Sequence, residues 1–118
     1  MSLGGGRIRR VDEAVREVLA DAVSQDLKDP RVGFVTVTEV RTSPDLRQAR
    51  VFVSVFGTVE QQMASVDGLR SAHGLLQARV ARELRLKRTP ALEFALDETA
   101  ERAARLEALI EDVTKDGK

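Results

Sequence analysis

Apolar residues recur at three- and four-residue intervals in four segments of the chain and at two-residue intervals in three others. This patterning predicts four helices and three strands. The first helix ends near residues 27–30, because Pro30 disfavours helical geometry in the residue before it. Strands are predicted at 33–40, 48–56 and 92–96, and the remaining helices at 58–70, 75–86 and 98–113, with Pro90 closing the third helix.

The order of these elements predicts how they pack. A short turn at 42–45 joins the first two strands, so they are expected to form an antiparallel hairpin. A helical crossover leads to the third strand, which is expected to lie parallel to its neighbour. We predict an α+β fold in which one three-stranded sheet packs on helices. Residues 1–6 are interpreted as a flexible arm or an expression remnant, residues 7–113 as one domain and residues 114–118 as a flexible C-terminus.

The predicted core comes from one face of each element. Ala49, Val51, Val53 and Val55 share one face of the second strand. Leu76, Val80 and Leu84 form a stripe on the third helix. The aromatic residues are expected in this core rather than as platforms for base stacking, because a sheet buries its aromatics first. They are Phe34, Phe52, Phe56 and Phe94.

The segment Ser71-Ala72-His73-Gly74 separates two apolar helical segments. Glycine weakens a helix, yet the apolar pattern resumes directly after Gly74, which predicts two helices meeting at a sharp bend. Small residues there would let a ligand approach the backbone, and the start of the second helix would attract phosphate. The alternative interpretation is that Gly74 only permits a tight turn between the helices.

The 118-residue chain has no net charge, but its positive charge is concentrated in the middle. Residues 70–88 include six basic residues and one acid, whereas the segment from residue 89 onward has eight acids and four bases. This asymmetry is typical of a nucleic-acid face, although a solvated helix face with pairs such as Arg79 with Glu83 gives the same pattern.

Composition narrows the class of protein. The apolar fraction of 42% indicates a globular chain with a single core. The absence of cysteine excludes disulfides and thiolate metal sites and favours a cytoplasmic location. We see no secretory signal and no apolar run long enough to cross a membrane. No phosphate-binding loop, nucleophile elbow or metal-ligand cluster is present, so we do not expect an enzyme.

The predicted RNA contacts are the bend and the cations around it. They are Arg70, Ala72, His73, Gly74, Arg79, Arg82, Arg85, Lys87 and Arg88. Arg79, Arg82 and Arg85 are three residues apart and are expected on an outward-facing sector of the helix. Five more arginines either extend the basic surface or lie on solvated faces: Arg9, Arg10, Arg16, Arg47 and Arg50.

His73 is the only histidine. Without a cysteine or a second histidine as partner, it is not expected to hold a metal or to catalyse a reaction. We predict an exposed side chain at the bend, and neither catalytic nor metal-binding residues elsewhere.

Several motifs, taken in their order along the chain, resemble those of a known family. The helix–bend–helix resembles that of a type II KH domain, with Ala72-His73-Gly74 in place of the GXXG loop. Together with Lys28-Asp29-Pro30-Arg31-Val32, Val35-Thr36-Val37-Thr38 and Ser43-Pro44-Asp45-Leu46, this bend is similar to the ribosome-binding factor A family. Thr89-Pro90-Ala91-Leu92-Glu93-Phe94, followed by Asp97, is similar to another motif of that family. The resemblance extends over residues 7–112.

The resemblance implies a bacterial factor that binds the precursor of the small (30S) ribosomal subunit and its 16S rRNA. It implies assistance in 16S rRNA processing near the 5′ end, and an association with growth in the cold. We expect a monomer that uses no cofactor, no small-molecule substrate and no membrane. The alternative hypothesis is a protein-interaction module that docks on a basic partner through its acidic last helix.

Overall fold

The computed structural model describes residues 3–116 as four helices and three strands. The helices are α1 (Leu3–Gln25), α2 (Val59–Ser71), α3 (His73–Leu84) and α4 (Thr99–Asp116). The strands are β1 (Val35–Thr42), β2 (Gln48–Val55) and β3 (Ala91–Leu96). The predicted α+β class and the predicted order of elements are therefore confirmed.

The strands form one sheet in the order β1-β2-β3. β1 and β2 pair antiparallel and β2 and β3 pair parallel, as predicted. The register of β1 against β2 shifts between Val37 and Glu39, which leaves Thr38 in a bulge. Because the bulge resets the two-residue alternation, Val37 and Val40 both lie on the buried face.

Helices cover one face of this sheet. Alternate residues of β2 from Ala49 to Val55 are buried, while Arg50 and Ser54 on the opposite face are exposed. Leu76 and Val80 of α3 are fully buried, and Leu84 packs against the same core. The buried face of α1 consists of Val15, Val18, Leu19, Ala22 and Val23.

The prediction that all four phenylalanines lie in the core is correct only for Phe94, which is 2% exposed. Phe34 and Phe56 are more than 80% exposed at the end of the hairpin, where the Phe56 N–H donates to the Phe34 carbonyl. Phe52 lies on the open face of the sheet beneath the Arg41 guanidinium. The alternation of side chains along the strand explains why Phe52 and Phe56 are not in the core, because they lie on the same open face as Arg50 and Ser54.

Several helix boundaries differ from the predicted ones. α1 begins at Leu3 and includes residues 3–6, which were expected to form an arm. A helix already formed can extend through glycines at a cost of about 1 kcal/mol each. α4 continues to Asp116, so residues 114–116 of the predicted flexible C-terminus belong to this helix. Residues 1, 2, 117 and 118 of the predicted flexible ends lie outside the described residues. α3 ends at Leu84, well before Pro90, because Arg85 adopts a left-handed conformation with φ of 48°.

α2 begins with a capping box formed by Thr58 and Gln61. The Gln61 N–H donates to Thr58 Oγ1, and the Thr58 N–H donates to the Gln61 side chain. These two bonds satisfy donors that a helix start otherwise leaves unpaired.

Ser65 and Gly68 of α2 fix the loop before β1. The buried Ser65 hydroxyl accepts from the Gly33 N–H and donates to the Arg31 carbonyl. A Cβ added at Gly68 would lie 2.7 Å from Val32 Cγ2. Gly68 is therefore needed for close packing of α2 against this loop.

Candidate nucleic-acid interface

The predicted bend is present as a single residue, Ala72, between α2 and α3. Its backbone, with φ of −88° and ψ of 10°, interrupts the helix. The Ala72 N–H donates to the carbonyls of Gly68 and Leu69 and so closes α2. No side chain caps α3. The carbonyl of Arg70 accepts a backbone hydrogen bond at the same junction, so an acceptor could bind only the first-turn amides that this bond leaves unpaired.

Gly74 occupies the first turn of α3 and is exposed. A Cβ added there would meet no atom within 4 Å, and the residue does not have a positive φ. Neither space nor backbone conformation within the described chain requires glycine at this position. The alternative interpretation, in which Gly74 serves a tight turn between the helices, therefore has no support from local packing.

Arg79 does not lie on an outward-facing sector of α3, and that prediction is wrong. Its side chain is 15% exposed and contacts three carboxylates. Nη2 lies 2.7 Å from Asp21 Oδ2 of α1, and the guanidinium also bonds Asp26 and Glu83. Arg79 therefore joins α3 to α1. Helical spacing alone could not reveal this role, because Asp21 and Asp26 lie more than 50 positions away in the chain.

The other cations after the bend are exposed, as predicted for Arg82 and Arg85. They are Arg82, Arg85, Lys87 and Arg88. Within the described residues none of these four forms an ion pair. Their charge is uncompensated locally, so this part of α3 and the segment after it can attract phosphate.

Arg70 differs from this group. Its guanidinium donates to the Phe94 carbonyl at 3.2 Å and lies 3.9 Å from Asp67. The side chain is still 60% exposed. Arg70 thus spans from α2 to β3 beside the bend and retains donors that can face a ligand.

The second group of arginines divides by location. Arg9 and Arg10 are exposed near the start of α1, and neither forms an ion pair within the part of the chain that the structure describes. Arg16 bonds Glu13, Arg47 lies 3.9 Å from Asp45, and Arg50 lies 3.2 Å from Glu93. Of these five arginines, Arg9 and Arg10 are therefore the two that add uncompensated charge within the described residues.

Sequence reasoning missed Gln77, which joins α3 to the outer edge of β3. Its Nε2 donates to the Pro90 carbonyl at 2.5 Å, and its Oε1 accepts from the Leu92 N–H at 3.1 Å. β3 is an edge strand, so these bonds supply the partners that a fourth strand would otherwise provide. A single glutamine on a helix gives no sequence signal of such a role.

Two carboxylates with lowered pKa values stabilise segments near the site. The pKa of Asp29 is lowered to about 2, mainly by hydrogen bonds from the Arg31 side chain and also by the Arg31 backbone N–H. The Thr38 hydroxyl, bonded at 2.5 Å, is the main cause of the lowered pKa of Asp97, which also accepts from the Thr99 N–H. Asp97 thereby links the β1 bulge to the start of α4.

His73 is the first residue of α3 and is half-buried rather than fully exposed. Within the described residues, no group of three or more histidine, cysteine, aspartate or glutamate side chains could hold a metal ion. The helices searched there include none long and apolar enough to cross a membrane.

Helix, strand, strand, helix, bend, helix and strand around a single three-stranded sheet, with basic residues after the bend, define a KH-like domain of type II. A family model described as ribosome-binding factor A matches residues 7–110. The chain belongs to the ribosome-binding factor A family.

Solved structures of family members agree with this assignment. A crystal structure of ribosome-binding factor A from Thermus thermophilus is 32% identical, with a TM-score of 0.67 over 75% of this chain and 94% of that chain. A solution structure of a Thermotoga maritima protein, a putative ribosome binding factor A, is 35% identical, with a TM-score of 0.69 over 75% and 85% of the two chains.

A third similar structure comes from a complex. It is a homology model of Thermus thermophilus ribosome binding factor A, fitted into the cryo-electron microscopy map of a complex of the 30S subunit with that protein. It is 33% identical, with a TM-score of 0.62 over 74% of this chain and 91% of that chain.

Proposed function

We propose that this chain binds the small ribosomal subunit by holding rRNA at the bend between α2 and α3. The main observation behind the proposal is Gly74, a glycine that neither packing nor backbone conformation requires. A phosphate backbone approaching that point would meet the first-turn amides of α3 and the positive end of its helix dipole. The 30S complex of the Thermus thermophilus relative supports the choice of partner.

The cations beyond the bend would hold the same strand. Arg82, Arg85, Lys87 and Arg88 are exposed and lack ion pairs within residues 3–116. Phosphate contacts of this kind position RNA and carry little sequence information. We assign Arg79 to the interface between α1 and α3 rather than to RNA, because its guanidinium is already occupied by three carboxylates.

The mechanism we propose is stoichiometric binding without a chemical step. Bound protein would stabilise one conformation of the 16S rRNA in the cytoplasmic precursor, so that nucleases process its 5′ end correctly. Cells that lack the gene are then expected to accumulate 16S rRNA with unprocessed 5′ ends. Normal 5′ ends at all growth temperatures would refute this part of the proposal.

Co-sedimentation with precursor and mature small subunits at increasing salt tests the binding itself. Four phosphate contacts predict that log K falls with log salt with a slope of about −3. Replacing Arg82 and Arg85 by alanine should make the slope shallower by roughly 1.5. Arg102→Ala with Arg105→Ala, on exposed positions of α4, is the control with the same change in charge. A slope near zero for the unaltered chain would refute the phosphate contacts.

A protein-interaction role is the second candidate, and α4 favours it. Residues 102–110 of this helix are exposed, including Leu106 at 59% and Leu109 at 62%. Amphipathic helices that leave apolar side chains in water often dock on partners. If this is the main function, Leu106→Ser with Leu109→Ser would abolish subunit binding while binding to protein-free rRNA remains normal.

A further inference from the structure

A cavity of about 350 Å³ lies beyond the C-terminal end of α3, away from the bend. The start of α1, the turn between β1 and β2, and the segment from α3 to β3 enclose it. Its aliphatic lining includes Val11, Leu46 and Leu86. Cavities of about 300–1,000 Å³ with a mainly apolar lining and a few polar groups are typical of small-ligand sites.

The charged groups around the cavity favour an anion. Arg7, Lys87 and Arg88 line it, and none of them is ion-paired within the described chain. Asp45 is the one carboxylate among the lining residues, so the lining has a net of two positive charges. Asp45 Oδ1 already accepts bonds within its own turn, from the Ser43 hydroxyl at 2.7 Å and the Arg47 N–H at 3.0 Å.

Backbone strain is located at the same place. Leu46 and Arg85 are the two non-glycine residues with positive φ in the described chain, at 61° and 48°. Leu46 lines the cavity, and Arg85 directly precedes Leu86, which also lines it. Leucine rarely adopts this conformation, because its Cβ approaches backbone oxygen. Such strain is found preferentially at ligand sites, and here it places a leucine side chain where a turn would normally have glycine or asparagine.

We propose that this cavity binds one unpaired nucleotide of a single-stranded RNA, an inference that rests on the proposed RNA-binding function. The base would lie against Leu46 and Leu86, and the phosphates would contact Arg7, Lys87 and Arg88. Apolar side chains and arginine planes can both lie against the face of a base. The combination of apolar lining and free cations matches a nucleotide better than it matches a bare phosphate or an uncharged peptide.

One RNA strand can contact both the cavity and the bend. α3 has 12 residues, so at 1.5 Å per residue its ends are about 17 Å apart. A short single-stranded segment can cover that distance. Arg82 and Arg85 lie along the way and would hold the intervening phosphates.

The test measures binding of the full chain to a fluorescent ten-nucleotide oligouridine and to an abasic strand of the same length. The unaltered chain should bind the strand with bases at least about tenfold more tightly, which corresponds to 1.4 kcal/mol. Leu46→Asn should remove this preference, because it replaces the apolar contact. The melting temperature should be unchanged or raised, since asparagine tolerates positive φ.

The cationic part of the cavity is tested separately. Lys87→Ala with Arg88→Ala should weaken binding of both strands, whereas Arg102→Ala with Arg105→Ala should leave both unchanged. Competition with uridine monophosphate shows whether the cavity binds a nucleotide within an RNA strand or a free nucleotide. It should compete only at concentrations far above those of the oligomer, and competition at equal concentration would overturn the assignment to a strand.

The outcomes also separate this inference from the proposed function. If the chain binds small subunits but shows no preference for bases, or keeps that preference with Leu46→Asn, the cavity is not a nucleotide site and the proposed function stands. If the chain binds neither subunits nor oligouridine, both proposals fail.

Discussion

Replacing Gly74 by valine tests whether this glycine serves the fold or a ligand. The added side chain would point into open space, since no atom lies within 4 Å of a Cβ at this position. Valine is also a slightly better helix former than glycine, by a few tenths of a kcal/mol. The free energy of unfolding should therefore stay within about 0.5 kcal/mol of its original value, and the melting temperature should change by no more than about 2–3 °C.

Gly68→Val is the matched control in the preceding helix. A Cβ at Gly68 would lie 2.7 Å from Val32 Cγ2 and 3.5 Å from Arg31 Cβ. Overpacking of this kind costs about 1–3 kcal/mol, so the melting temperature should fall by about 3–15 °C. The two glycines are six residues apart, and only the tertiary packing distinguishes them.

Affinity for small subunits should be reduced more by Gly74→Val than by Gly68→Val. The Gly74→Val side chain would keep a phosphate backbone away from the first-turn amides of α3, so affinity for small subunits should drop at least about tenfold, equivalent to 1.4 kcal/mol. Thermal unfolding followed by circular dichroism gives the stability, and co-sedimentation gives the affinity. If Gly74→Val destabilises the fold as much as Gly68→Val, or if it binds subunits normally, the ligand role of the bend is refuted.

Three further outcomes follow from contacts around the site. Arg79→Ala should lower the free energy of unfolding by about 1–3 kcal/mol, because it removes three partly exposed ion pairs. Arg82→Ala should leave the free energy of unfolding, measured by chemical denaturation, unchanged and should weaken RNA binding. Equal stability of the two variants would contradict the assignment of Arg79 to the fold and Arg82 to RNA. Gln77→Leu should lower the free energy of unfolding by about 1–3 kcal/mol and speed hydrogen exchange at the Leu92 amide, which it leaves unpaired. Unchanged exchange at Leu92 would show that Gln77 does not protect the edge of β3. Asp29→Asn should reduce stability at neutral pH, and the difference should disappear as acid protonates the native carboxylate, whose pKa is about 2. This contribution is complete above the unfolded pKa near 3.8 and is lost as the pH falls through about 2, so an undiminished difference at pH 2 would exclude the Asp29–Arg31 contact as its source.

Patterns close in sequence were sufficient for most of the architecture. The capping box at Thr58 and Gln61 is a local signal, and the structure forms both of its hydrogen bonds. The alternation of β2 fixed which face is buried, because successive side chains of a strand point to opposite sides. The short turn before β2 and the long crossover after it fixed the antiparallel and parallel pairings.

Local patterns failed where a distant partner or a backbone irregularity decided the result. Arg79 has the same helical spacing as Arg82, but only the packing of α3 on α1 brings Asp21 and Asp26 to it. A left-handed residue ended α3 early, and arginine at position 85 gives no sign of it.

The sequence by itself determined the elements, their order, the bend and the concentration of basic residues after it, because each depends on neighbours within a few positions. Tertiary structure decided which of those cations remain free and which glycine the fold requires. It also brought Arg7, Leu46 and Lys87 together around one cavity. Contacts between residues far apart in the chain depend on how whole elements pack, and no spacing within a single element specifies them.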